Sequence, residues 1–322
     1  MIGRMSTEAI TPSGADAAAG PLALVGLGRM GANMARRLVR GGVAVHGVDP
    51  DAGARAALAD AAGVTTHATL AEAVAALRAP RTVWLMLPAG GVTQAALDLL
   101  LERLSPGDLV IDGGNADHRD SRRRAGAFAA RGLAFADCGV SGGVWGLDNG
   151  YCLMFGADAA AAPRVAALAR VLAPAPDRGW LHCGPPGAGH FVKMIHNGIE
   201  YGAMQAYAEG FALLEGSGYG LDLAQVGEVW RHGSVIRSWL LDLTVAALAE
   251  PDALDAVQPF VADSGEGRWT VEEAIRQGTP APVIALALMS RFDSQGRADT
   301  ANRLLALMRK GFGGHPVKPR GE

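Results

Sequence analysis

Cysteine is scarce in this chain. Cys138, Cys152 and Cys183 form an odd set with no CxxC pair, which excludes a disulfide framework or zinc ribbon and suits a reducing, cytoplasmic compartment. No apolar run approaches the ~18 residues of a membrane span. The opening twenty residues, MIGRMSTEAITPSGADAAAG, lack the continuous apolar stretch of a secretory signal. They read as a flexible, polar and alanine-rich tail. Basic charge is not in excess: 29 Lys and Arg stand against 32 Asp and Glu, a net −3. That balance argues against nucleic acid as a partner. No His, Cys and carboxylate cluster has metal-ligand spacing, so no metal is expected. No internal repeat is visible.

Glycine is abundant instead, at 44 of 322 residues, roughly twice the usual ~7%. Without collagen periodicity, that excess implies tight turns and places where backbone approaches a ligand closely. A hydrophobic fraction of 49% with 19% charged residues can bury a core, and the length suggests about two domains. Short apolar runs read as strands: Leu22–Gly26, Val43–Asp49, Arg81–Leu87, Leu109–Asp112 and Leu133–Cys138. Alanine-rich helical stretches separate them, beginning with Gly31–Gly41. Alternation of this kind specifies βαβ units and a doubly wound parallel sheet. Beyond Pro185-Pro186-Gly187 the texture turns helical, starting with a long proline-free stretch over Gly189–Ser217. The expected organisation is a tail over residues 1–20, an α/β domain over 21–186 and a helical domain over 187–322.

Gly26-Leu27-Gly28-Arg29-Met30-Gly31 fits GxGxxG, following a strand and opening a helix. In that context the first glycine permits the turn, the second admits a pyrophosphate and the third lets helix and strand pack. Together with the strand pattern this is a Rossmann-type arrangement. Asp49 ends the second strand, placed to accept hydrogen bonds from a ribose 2′-hydroxyl and to repel a 2′-phosphate. NAD is therefore expected over NADP. Arg55 lies nearby in sequence, with a reach that sequence does not define.

The stretch GAGHFVKMIHNGIEYGAMQ (187–205) carries Lys193, His196, Asn197, Glu200 and Tyr201. On a helix these share one polar stripe over two turns. A solvated charged face is the plainer reading, but it does not favour His, Asn and Tyr interleaved with Lys and Glu. The stretch HFVKMIHNGIEYG, with DGGN at Asp112–Asn115 and GVSGG at Gly139–Gly143, resembles decarboxylating 6-phosphogluconate dehydrogenase, within the wider β-hydroxyacid dehydrogenases. The resemblance runs from about Leu22 to His315. Length, Asp49 and the run Asp263–Ile275 are similar to the short, NAD-preferring branch.

The resemblance implies roles. Lys193 as a neutral amine takes the proton of the substrate 3-hydroxyl while hydride leaves, then stabilises the oxyanion formed on CO2 loss. Glu200 protonates the enediol. Asn197 and His196 hold substrate hydroxyls and orient the carboxylate. Ser141, Gly142 and Gly143 bind the substrate carboxylate and neighbouring hydroxyl, and Asn115 sits between the nicotinamide ribose and substrate. Tyr201 and Arg291 match positions that contact the substrate phosphate. Where the long enzymes read KGTGKW, this chain has Ser264 and Glu266, so Arg268, Arg291 and Tyr201 are the compensating groups. Val144-Trp145 replaces an acidic pair of the long enzymes. Phe312–His315 is similar to a tail element that reaches a neighbouring subunit's site.

The expected partners are a small sugar-acid substrate and a second copy of the chain, as a dimer or tetramer. A non-decarboxylating β-hydroxyacid dehydrogenase and a non-enzymatic NAD-binding redox sensor are the alternatives. Three further features carry structural expectations. Arg119, Arg122, Arg123 and Arg124 form a solvated helical face. His182 beside Cys183 marks a strand end. Trp230, Trp239 and Trp269 pack the helical domain or an interface.

Overall fold

The structure is a computed structural model that describes residues 20–313 and 316–318. The N-terminal tail up to residue 19 and the Gly314-His315 end of the tail element lie outside the described residues. Compact packing divides the chain between Lys193 and Met194.

The first unit is built on one eight-stranded sheet: β1 (Leu22–Val25), β2 (Val45–Val48), β3 (Val64–His67), β4 (Thr82–Leu85), β5 (Leu109–Asp112), β6 (Ala134–Ser141), β7 (Cys152–Ala157) and β8 (Trp180–Gly184). The spatial order is β3-β2-β1-β4-β5-β6-β7-β8. Because side chains alternate along a strand, Leu22 and Leu24 enter one apolar cluster while Ala23 and Val25 enter the other. Met34 and Leu38 of helix Arg29–Arg40 cover the first face. Leu97, Leu100 and Phe128, from helices Gly91–Arg103 and His118–Ala129, cover the second. Both faces of the sheet are thus closed by helices. The strand order reverses between β1 and β4, the place where such sheets bind ligands beyond the strands' carboxyl ends.

Two departures from the sequence expectation have physical reasons, one in strand direction and one in a strand the apolar pattern does not mark. β7 pairs antiparallel to β6, because only Gly142–Tyr151 connects them and a parallel crossover needs a dozen residues or more. β8 then runs parallel to β7. β3 is an edge strand of Val64, two threonines and His67, and it is only partly buried. It therefore lacks the apolar run that marks the central strands.

The long helix Ala188–Glu215 starts in the first unit, where its first turn is pinned. Both carboxylate oxygens of Asp137 on β6 accept from it, one from the Gly187 N–H and one from the His190 N–H at 2.6 Å. Asp137 is fully buried. A Cβ at Gly189 would sit 2.5 Å from the Met154 carbonyl oxygen and 2.7 Å from that of Asp137, so only glycine lets the helix lie this close to β6 and β7.

The second unit, from Met194 on, contains helices and no strand among the described residues. Phe211 packs edge-on against Trp230 at 5.6 Å, with Leu241 and Val245 beside them. Trp239, by contrast, is exposed. A second cluster joins Tyr201 to Ala287 and Leu288.

Asp137→Ala should leave two buried N–H groups unpaired, at a cost of about 1–3 kcal/mol each. The measurement is a lowered urea midpoint, and Asp137→Asn, which retains one acceptor, should lose less. An unchanged midpoint for the alanine variant would contradict this account of the helix start.

Candidate active site

The glycine loop leaves β1 at the switch point. Gly26 has φ +91° and packs on Met86, where a Cβ would come within 2.5 Å of the carbonyl oxygen. Gly31 fits directly over the Gly26 carbonyl. Gly28, where a Cβ would meet only open space, caps helix Arg29–Arg40. That helix has no side-chain cap and no acid in its first turn, so its first N–H groups are presented to an anion. Leu27 is buried, Met30 half-buried and Arg29 exposed.

Asp49 ties the loop together. Its Oδ2 accepts from the Leu27 N–H at 2.8 Å and its Oδ1 from the Asp51 N–H at 2.9 Å. It is half-buried and a carboxylate has about four acceptor positions, so it retains capacity for a ribose hydroxyl. The Arg55 guanidinium donates to the carbonyls of Asp49 and Pro50 at 2.7 and 2.9 Å. This settles its reach: it is anchored to the backbone at the end of β2.

Asn115 is exposed just past the carboxyl end of β5, after the buried Asp112-Gly113-Gly114. Asp112 receives the Arg124 guanidinium at 3.0 Å and the Gly114 N–H at 3.3 Å. Burial pushes the Asp112 carboxyl above its usual range, outweighing the opposing pull of His190, Arg124 and the Gly114 N–H. Arg124 is 6% exposed, which corrects the expectation of a solvated arginine face. Arg122 and Arg123 are exposed as expected, but Arg124 turns inward to a buried acid. The DGGN motif held the clue, because a buried aspartate needs a cation and an arginine run follows it.

Ser141 ends β6, and Gly142 (φ +128°) and Gly143 (φ +53°) turn the chain out of the sheet. Lys193 is 6% exposed, and its stem presses on Gly139, where an added Cβ would lie 2.3 Å from the Lys193 Cβ. Among the first-unit residues expected at the site, the glycine loop, Asp49, Asn115 and Ser141–Gly143 all lie at carboxyl ends of strands, and Lys193 packs on β6.

The remaining candidates lie in the second unit. The expected polar stripe is divided: Lys193, Asn197 and Tyr201, four residues apart, form a buried row, while His196 and Glu200 are half-exposed. His196 Nδ1 is 2.9 Å from Asn197 Oδ1 and 3.8 Å from Glu200 Oε2. Tyr201 Oη is 3.0 Å from Ser264 Oγ, and the Arg291 guanidinium lies 3.4 Å over the Tyr201 ring centre. Arg291 also donates to the Ala262 carbonyl at 2.9 Å. Arg268 is committed to Asp263 at 2.6 Å and stacks over Phe292. Burial alone would raise the Asp263 carboxyl. The Gly265 N–H, the Arg268 ion pair and the Arg291 charge together hold it below its ordinary value. Glu266 is buried. No metal-holding group of three or more His, Cys, Asp or Glu exists among the described residues, and no helix there is long and apolar enough to cross a membrane.

Comparison with known proteins places this geometry. Residues 21–176 match the family model described as the NAD binding domain of 6-phosphogluconate dehydrogenase, and residues 189–312 match that of the 6-phosphogluconate dehydrogenase C-terminal domain. The NAD(+)-dependent, decarboxylating 6-phosphogluconate dehydrogenase of Haloferax volcanii is 43% identical, covering 92% of this chain and 98% of its own length. The chain belongs to the 6-phosphogluconate dehydrogenase family. Among solved structures, that of Plasmodium falciparum 6-phosphogluconate dehydrogenase has a TM-score of 0.77 at 27% identity, over 94% of this chain and 67% of its own. Mycobacterium tuberculosis 3-hydroxyisobutyrate dehydrogenase has a TM-score of 0.68 at 27% identity, over 87% of this chain and 94% of its own. Within this 6-phosphogluconate dehydrogenase family member, Asp112–Arg124 is a buried pair that sequence reading missed.

Arg124→Met should strand the buried Asp112 charge and cost about 3–5 kcal/mol. The double variant Asp112→Asn/Arg124→Met should recover most of that loss in chemical denaturation. No recovery would mean that the pair is not the energetic unit.

Proposed function

We propose that the protein catalyses oxidative decarboxylation of 6-phosphogluconate to ribulose 5-phosphate and CO2, with NAD as electron acceptor. The observation that carries the reading is Lys193, buried against Gly139 of GVSGG and heading the row with Asn197 and Tyr201 on one helix.

The proposed order of events follows from these side chains. Lys193 accepts the proton of the 3-hydroxyl as the C3 hydrogen departs with its electron pair. NAD, when bound, supplies the acceptor for that hydride. The resulting 3-keto acid loses its carboxylate as CO2, the electrons of the broken bond passing into the carbonyl, and the Lys193 ammonium stabilises the oxyanion. Glu200 then protonates the enediol carbon to give the pentulose. Asn197 and His196, joined at 2.9 Å, orient the substrate hydroxyls and carboxylate. Ser141, Gly142 and Gly143 hold the carboxylate end, and Asn115 bridges substrate and nicotinamide ribose.

The dinucleotide's pyrophosphate suits the uncapped helix start at Gly28, and Asp49 favours the unphosphorylated ribose. Arg291 with Tyr201 is the proposed phosphate-binding pair. Arg268 is the weaker member, because Asp263 already neutralises its charge. We assign residues 21–186 to cofactor binding and 187–322 to substrate binding, and expect assembly with further copies of the chain.

The second reading, a β-hydroxyacid dehydrogenase without CO2 loss, draws on the likeness to 3-hydroxyisobutyrate dehydrogenase. Release of labelled CO2 from C1-labelled 6-phosphogluconate separates the two, and NADH formation without it would establish the second. Lys193→Met should reduce turnover by about 10³-fold while NADH affinity, read by fluorescence, stays within about threefold. Arg291→Met should raise KM for 6-phosphogluconate by about 10–100-fold, the worth of a charge-assisted bond, and leave kinetics with gluconate unaltered. Preference of the native enzyme for gluconate would overturn the substrate assignment.

A further inference from the structure

His190 is a buried ionisable side chain that none of the steps above employs. It is 1% exposed and lies in the first turn of the long helix, three residues before Lys193. Residues at that spacing lie on one side of a helix. Its Nδ1 is 2.7 Å from Ser121 Oγ, and Ser121 is fully buried. Its Nε2 has no hydrogen-bond partner among the described residues. Leaving a buried imidazole nitrogen unpaired is costly, so packing alone would favour an apolar residue here.

The partner that holds the ring explains what the imidazole does. Ser121 belongs to helix His118–Ala129, the same helix whose Arg124 holds Asp112 at the end of β5. That helix therefore grips two elements at once: through Arg124 the strand end from which Gly113, Gly114 and Asn115 issue, and through Ser121 the turn that carries Lys193. All these residues lie in the first unit. The Lys193 stem is confined by Gly139 at its Cβ and by the preceding helical turn, which Asp137 pins at its backbone and the His190–Ser121 bond ties to helix His118–Ala129.

We propose that His190 is a positioning residue for Lys193, transmitting the placement of helix His118–Ala129 to the lysine through its bond to Ser121. The inference deepens the function proposed above and rests on it for the kinetic consequence only. An error of ~1 Å in placing a reacting group can cost ~10²-fold in rate.

The test compares His190→Leu, Ser121→Ala and His190→Asn in the full chain. The asparagine amide can occupy the place of Nδ1 and keep the bond to Ser121. The sequence contains three lysines, Lys193, Lys310 and Lys318, so [13Cε]-lysine labelling gives three NMR signals, with that of Lys193 identified by its loss in Lys193→Met. His190→Leu and Ser121→Ala should lower kcat about 10–100-fold with both KM values within about twofold. They should displace or broaden the Lys193 signal while leaving those of Lys310 and Lys318 unmoved. His190→Asn should restore the signal and return kcat to within about fivefold of native. A native Lys193 signal in the folded leucine variant would overturn the proposal, as would failure of the folded asparagine variant to restore it. Should the leucine variant not fold, Ser121→Ala decides by the same criteria. If the native enzyme does not oxidise 6-phosphogluconate, the proposed function falls, and the lysine signals still decide the role of His190.

Discussion

A helix start pressed onto two strands with no room for a side chain is the constraint from which the rest of this molecule follows. At Gly189 the long helix meets the backbone of β6 and β7 closely enough that a methyl group would collide with two carbonyl oxygens. The contact is held by a single buried carboxylate, that of Asp137, which accepts from both ends of the first turn. Once that turn is fixed, the place of Lys193, the last residue of the first unit, is fixed with it.

The same economy appears in the cofactor half. Asp49 both closes the glycine loop onto β2 and supplies the acceptor expected to read the ribose. Asp112 is held in the interior by Arg124 while its other oxygen receives the Gly114 N–H. Buried charges of this kind are costly unless paired, and here Asp112 stands three residues before the exposed Asn115. In the second unit the two arginines near Tyr201 are inequivalent. One is bound to a carboxylate and the other is stacked on the phenol ring with a bond to a backbone carbonyl. The second has no carboxylate in direct ion-pair contact among the described residues, although its charge also reaches Asp263.

Legibility in the sequence followed burial. The central strands β1, β2, β4, β5 and β6 carry apolar runs because helices cover both their faces, and each was readable. β3 was not, since an edge strand with two threonines has no such run. β7 is the exception, apolar and buried yet not read as a strand, while β8 is only partly buried and includes His182. The helical spacing of Lys193, Asn197 and Glu200 was legible in the sequence, while their roles come from the resemblance and stand as proposals. Arg124 was misread because four arginines close together have the composition of a solvated face, and nothing local distinguishes the one that turns inward. His190 and Ser121 went unnoticed because their contact joins positions 69 residues apart.

What the sequence by itself determined was the order of the elements, the glycine fingerprint with its acidic partner, and the helical spacing of Lys193, Asn197 and Tyr201. These are set by neighbours within a few turns of chain, where periodicity and steric preference act. Tertiary structure alone decided which polar groups are buried and what they touch. It bent β7 back against β6, drew Arg124 to Asp112, committed Arg268 to Asp263 and set His190 on Ser121. Such choices depend on desolvation and on contacts between distant segments, and they become defined only when the chain closes on itself.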